Sequence, residues 1–175
     1  ALTLLLDRNI GVTSVGRLTR STMGRKVFFQ FLFVHDVAAP KDLGIAQFMP
    51  PQAEVFTVDM DGKVITQNLP TDDLVEPHKD LIEGLMPLVK ERIKPLLNQA
   101  ADQAEKWAGK LRDKALASAE EELTSEVQRL KQLSKVNRLI TADEVAAAEK
   151  RQAQVKDYLT KSEPRLDAVR VILAE

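Results

Sequence analysis

The side chains of this 175-residue chain that could move a proton, hold a metal or attack a carbonyl are few and scattered. Cysteine is absent, which removes thiolate nucleophiles, thiolate metal ligands, iron–sulfur ligation and disulfides together and suits a reducing cytoplasm. His35 closes an aromatic run and His78 opens a helical region, so each reads as a hydrogen-bonded or helix-starting polar residue rather than a base or ligand. Asp7, Asp36, Asp59 and Asp61 can be drawn together as a hydrolytic carboxylate cluster. Aspartates at strand ends and turns are commonplace, however, and this spacing specifies no metal. The seven glycines form neither G-x-G-x-x-G nor a P-loop, so no phosphate cradle opens a helix, and no G-x-S-x-G elbow presents a serine. The residue types therefore assign no catalytic, cofactor-binding or metal-ligating residue to this chain.

Composition narrows the class further. A net charge of −1 gives no overall field to hold nucleic acid or an anionic membrane. With 44% hydrophobic and 29% charged residues, the chain is neither bulk-disordered nor a membrane protein. The apolar start Leu2–Leu6 is short and lacks a basic lead, so neither a signal peptide nor an anchor is expected. The sequence opens mid-pattern at Ala1 with no initiator Met, as an excised piece of a larger protein would.

Those few groups must be positioned by two kinds of element. All six phenylalanines fall in the first third, and residues 1–77 read as a Phe-rich β portion. In Lys26–His35, Val27, Phe29, Phe31 and Phe33 line one face while Phe28, Leu32 and Val34 fill the other beside Gln30, the pattern of a central strand. Ala53–Met60 and Lys63–Thr66 flank Asp61-Gly62, which predicts a two-residue hairpin. Leu2–Asp7 reads as a further strand, and Pro40 with Pro50-Pro51 mark connections.

Residues 78–163 read as a long helical hairpin. Apolar positions 85, 89, 93, 96, 100, 104, 107, 111 and 115 repeat about every 11 residues. Leu123, Val127, Leu130 and Leu133 carry the stripe to about Ser134, while Pro87 and Pro95 predict kinks or a broken start. Thr141 and Glu144 form a capping box that opens a second helix running to about Ser162. Residues 164–175 then make a C-terminal strand, with alternation over Arg165–Leu173. At 1.5 Å per residue the first helical stretch would span about 85 Å and the second about 30 Å. Folded back, the second covers only Ala115 to Leu133. Leu85, Val89, Ile93, Leu96 and Trp107 then need another cover: the N-terminal sheet, another chain, or a missing part of a larger protein.

The helix is also banded in charge. Lys106, Lys110, Arg112 and Lys114 precede Glu120, Glu121, Glu122 and Glu126, which precede Arg129, Lys131, Lys135 and Arg138. The bland reading is a solvated face with pairs such as Asp102/Lys106 and Glu126/Arg129, each worth a few tenths of a kcal/mol. The functional reading is a docking surface, in which the five stripe residues and the band Arg129, Lys131, Lys135 and Arg138 contact a partner. That band lacks aromatic residues, so single-strand recognition is weak.

The C-terminal third carries a more specific signal: Gln128-Arg-Leu-Lys-Gln-Leu-Ser-Lys-Val-Asn137, Ile140, Asp143-Glu144, the Val145/Ala148 helix and Arg165-Leu-Asp-Ala-Val-Arg170. Upstream, Ala39-Pro-Lys41, Leu43, Phe48-Met-Pro-Pro51 and the Asp59–Gly62 turn agree in order. As a set these resemble the C-terminal region of the bacterial RNA polymerase-associated ATPases of the Swi/Snf helicase-like family, over nearly the whole chain. Arg138, Pro164, Pro87 and Pro95 depart from the usual pattern. The resemblance implies that the full protein binds RNA polymerase and uses ATP, with Mg, to recycle polymerase trapped after transcription. No motor motif occurs in these residues, so it also implies a non-catalytic domain that supports or regulates the motor and takes no cofactor itself. The implied partners are the remainder of the parent ATPase, RNA polymerase and, as a further candidate, DNA; the implied location is the cytoplasm and nucleoid.

Together these readings predict an α+β fold: a small antiparallel sheet, a long antiparallel helical hairpin and a C-terminal strand returning to the sheet. No membrane contact is expected, and the isolated chain could self-associate through its stripe. A free-standing coiled-coil adaptor or holdase chaperone is the rival reading, and a hydrolase using the Asp cluster is a third.

Overall fold

A strand with large apolar side chains on both faces needs cover above and below and a neighbour at each edge. Lys26–His35 meets that demand in the computed structural model, which describes residues 12–19, 24–66, 69, 74–137 and 139–175. The described strands are β1 (Val12–Leu18), β2 (Lys26–His35), β3 (Gln52–Asp59), β4 (Val64–Ile65), β5 (Leu74–Val75) and β6 (Arg165–Ala174). They form one sheet in the order β4-β3-β2-β6-β1-β5, with β2 in its interior. The strand expected at Leu2–Asp7 lies outside the described residues.

The α+β class and the returning C-terminal strand are as expected, but the sheet is mixed rather than antiparallel throughout. β6 runs antiparallel to β2 and parallel to β1. A parallel pair requires a long crossover, which the chain between Leu18 and Arg165 supplies. Ladder hydrogen bonds use backbone groups common to every residue, so strand patterning says little about which distant segment will pair.

Register explains the two apolar faces. Val171 stands opposite both Phe29 and Val15, and the Phe29 and Phe31 rings stack on that face with centroids 6.4 Å apart. On the other face Phe28 opposes Ile172, and both join Leu18, Leu69 and Ala174 in a core cluster. Between Leu32 and Phe33 the partner jumps from Ala168 to Leu166, leaving Asp167 as the extra residue of a bulge.

The β3–β4 hairpin differs from the two-residue loop expected of Asp61-Gly62. Val58 pairs with Val64, and the Asp59 N–H donates to the Lys63 carbonyl, so three residues, Met60 to Gly62, make the loop. Gly62 has φ +87°, whereas no described non-glycine residue has positive φ. A two-residue type I′ loop needs positive φ at both central residues; a type I turn closed by a left-handed glycine needs it only at Gly62. The Asp59 carboxylate favours the latter by accepting from the N–H groups of Asp61 (3.0 Å) and Lys63 (2.8 Å).

Two helices complete the fold, α1 (Lys79–Val136) and α2 (Ala142–Thr160). The His78 carbonyl accepts from Leu81 and Ile82 to start α1. The broken start expected from the prolines is not found: α1 continues through Pro87 and Pro95. Each proline frees the carbonyl four residues earlier, on Glu83 and Glu91, and all four residues lie on the exposed side of α1, where solvent can take the place of the missing donor.

Contacts divide the described chain into two compact units. The first comprises the described residues up to Val34, Ala53–Lys106 and Pro164–Glu175; the second comprises His35–Gln52 and Trp107–Glu163. Within the first, Val15 and Val171 of the sheet and Leu85, Val89 and Ile93 of α1 line one small cavity of about 50 Å³. For Leu85, Val89 and Ile93 the sheet thus supplies cover, one of the three alternatives that the sequence left open. Val89, Leu96, Ala100 and Ala104 are buried, while Leu85 and Ile93 are half-buried.

Candidate functional site

The second unit contains the hairpin. At its root Ala115, Ala119 and Leu123 of α1 pack with Val155 and Leu159 of α2. Alanines let helices approach closely, and they bury little area each, so a third layer is needed to complete a core. The segment between β2 and β3 provides it. Two 3₁₀ turns, Lys41–Leu43 and Ile45–Gln47, are separated by Gly44 at φ +67° and insert Leu43, Ile45 and Met49 into the same core. In the sequence, Pro40 and Pro50-Pro51 mark this stretch only as a connection.

A polar node lies in the same unit. His35 is fully buried, with its ring 6.1 Å from that of Trp107 and its Nε2 3.1 Å from Ser162 Oγ. The Ser162 hydroxyl donates to the Leu159 carbonyl at 2.7 Å, and Arg112 Nη1 donates to the Ser162 carbonyl. Because the hydroxyl proton is committed to Leu159, Nε2 is the donor to Ser162, the reverse of a histidine base drawing a proton from serine. With both residues buried as well, the pair ties the end of β2 to the end of α2 rather than forming a nucleophile.

Farther along the hairpin, polar pairs set the helix register. Thr124 Oγ1 accepts from Gln152 Nε2 at 2.8 Å, Glu126 meets Arg151 at 3.2 Å, and Lys131 meets Glu149 at 2.6 Å. Arg151 also reaches the Leu43 carbonyl at 3.4 Å. Glu126 therefore pairs across the hairpin with Arg151, not along the helix with Arg129 as expected. A partner on a packed neighbouring helix is held in place by the core, whereas an exposed intrahelical pair must order two long side chains for itself.

The tip closes with local hydrogen bonds. Asn137 N–H donates to the Leu133 carbonyl, Asn137 Oδ1 accepts from Leu139, and its carbonyl accepts from Ile140. The expected capping box is present: Glu144 N–H donates to Thr141 Oγ1 and Thr141 N–H to the Glu144 carboxylate. Leu133, placed on the buried stripe by the sequence reading, is exposed, while Leu130 and Ser134 are partly buried. Val136 and Leu139 are 83% and 84% exposed.

The proposed contact residues thus fall into distinct environments. Val89 and Leu96 are buried, Leu85, Ile93 and Trp107 are half-buried, and Arg129, Lys131 and Lys135 are exposed near the tip. Arg138 lies outside the described residues. Among the described residues no three His, Asp or Glu side chains gather as a metal-ligand set, and no helix is long and apolar enough to cross a membrane. Sequence reasoning missed Val136 and Leu139, although two apolar residues in a connection bounded by a helix end and a capping box are a visible signal.

Comparison with known proteins adds what geometry alone does not. A family model described as the RNA polymerase recycling family C-terminal matches residues 1–174. Three relatives named RNA polymerase-associated protein RapA are similar over 177 aligned residues covering 98% of the chain: 28% identical in Cronobacter sakazakii, 29% in Klebsiella pneumoniae and 28% in Erwinia tasmaniensis. The chain spans only 18% of the length of each.

Proposed function

The chain belongs to the RNA polymerase recycling C-terminal family, and from that premise we propose that it is a non-catalytic domain of an ATP-dependent transcription-recycling factor. In this reading the domain supports or regulates a motor carried by the rest of the parent chain and contacts RNA polymerase, with DNA as a further candidate partner. ATP and Mg belong to the motor, and the site of action is the cytoplasm and nucleoid. The observation that carries the reading is the match over residues 1–174 to a region that makes up only 18% of each relative. The use of the chain's own chemical groups supports it. His35, Ser162 and Asp59 are each engaged in internal hydrogen bonds that shape the fold.

The test compares the full-length protein with a version lacking this region. Removal should weaken co-sedimentation with RNA polymerase or reduce polymerase-dependent ATP turnover, and the isolated chain should show no turnover. ATP hydrolysis by the chain alone at the full-length rate would overturn the non-catalytic role. Unchanged polymerase binding and unchanged turnover after deletion would overturn the supporting role.

A further inference from the structure

We infer that the tip of the helical hairpin, Leu133, Val136 and Leu139 flanked by Arg129 and Lys135, docks into an apolar pocket rimmed by carboxylates on RNA polymerase. The identity of the polymerase rests on the proposed function above; the chemistry of the pocket rests on the tip itself.

Val136 and Leu139 have the greatest exposure of the large apolar side chains described. They are presented by a turn whose backbone is hydrogen-bonded on both sides of Asn137, then fixed to α2 by the capping box. Such a turn can be closed by polar residues alone, and nothing in its hydrogen bonding calls for a valine and a leucine facing water. Large apolar side chains this exposed, two of them within four residues of chain, mark a contact surface.

The charges around them select the partner. Arg129, Leu133 and Val136 are spaced four and three residues apart and so share one face of the last turns of α1. Lys131 is neutralised by Glu149, whereas Arg129 and Lys135 make no ion pair among the described residues. Glu144 is spent in the capping box, and Asp143 beside it faces the positive end of its own helix. The charge left unmatched next to the apolar spot is therefore positive, and the complementary rim is acidic. Unmatched cations steer diffusional encounter, a benefit for a separate molecule rather than for a tethered neighbour. From Arg129 to Val145 there is no aromatic residue to stack on a base, and valine and leucine add nothing to a phosphate contact, so the surface suits a protein.

The experiment uses the full-length protein and core RNA polymerase, with affinity measured by biolayer interferometry at several salt concentrations. Val136→Ser with Leu139→Ser should weaken binding about tenfold or more, the scale of losing central apolar anchors. Arg129→Glu with Lys135→Glu should do the same and flatten the salt dependence. Melting temperatures should match the parent, since all four side chains are exposed. If the parent binds polymerase and both variants bind within about twofold of it, the tip inference is overturned while the proposed function stands. If the parent does not bind polymerase, the proposed function fails and takes this inference with it. Two further results overturn the tip's partner specifically: charge reversal that weakens only binding to a duplex DNA probe, or serine variants that change only polymerase-free ATP turnover.

Discussion

The root and the tip of one hairpin are built from the same two helices to opposite ends. At the root, Ala115, Ala119, Leu123, Val155 and Leu159 are buried under a third layer of Leu43, Ile45 and Met49. At the tip, apolar side chains of similar size face water, and hydrogen bonds in the turn and the capping box hold the backbone. Burial stabilises the root; local backbone satisfaction shapes the tip without asking its side chains to contribute. That separation leaves Val136 and Leu139, 83% and 84% exposed, little part in holding the hairpin together.

The contrast can be broken by mutation. Leu159→Ala removes a fully buried side chain from the root core and should lower unfolding stability by about 3–5 kcal/mol in urea titration. A loss below 1 kcal/mol would mean that the root is not the stabilising end. Ala115→Leu tests the close helix approach from the other side; overpacking at a residue 2% exposed should cost about 1–3 kcal/mol, read as a lowered urea midpoint. Thr141→Ala deletes half of the capping box and should cost about 1 kcal/mol, accompanied by faster amide exchange in the first turn of α2. Smallest of all, Leu139→Ser should change stability by no more than about 0.5 kcal/mol. A large loss there would show that the tip packs in solution and would erase the distinction.

Much of this architecture is legible in local pattern. Double-sided apolar residues place β2 in the sheet interior, and its bounds, Lys26–His35, match those read from the sequence. The Thr141–Glu144 box marks the start of α2 because both of its partners lie within one turn. Other features escape for physical reasons. Leu133 fits a helical repeat as well as Ser134 does, and only the position of α2 decides which of them turns inward. Pro87 and Pro95 read as breaks because the lost hydrogen bond is certain, while the solvent that repairs it depends on which side of α1 faces out. The proposed contact surface is half legible: the basic band stands out, but the cancellation of Lys131 by Glu149 needs both helices in place.

By itself the sequence determined the central strand, the β3–β4 pair, the C-terminal strand, the two helix bounds to within a few residues, the capping box and the family resemblance, since each rests on residues close together or on an ordered string of motifs; the strands Val12–Leu18 and Leu74–Val75 it did not mark. Tertiary structure alone decided that β6 lies parallel to β1, that the sheet shelters the early stripe of α1, and that residues 35–52 complete the hairpin core. These are encounters between segments far apart in the chain. They depend on surfaces fitting in three dimensions, which no local periodicity specifies.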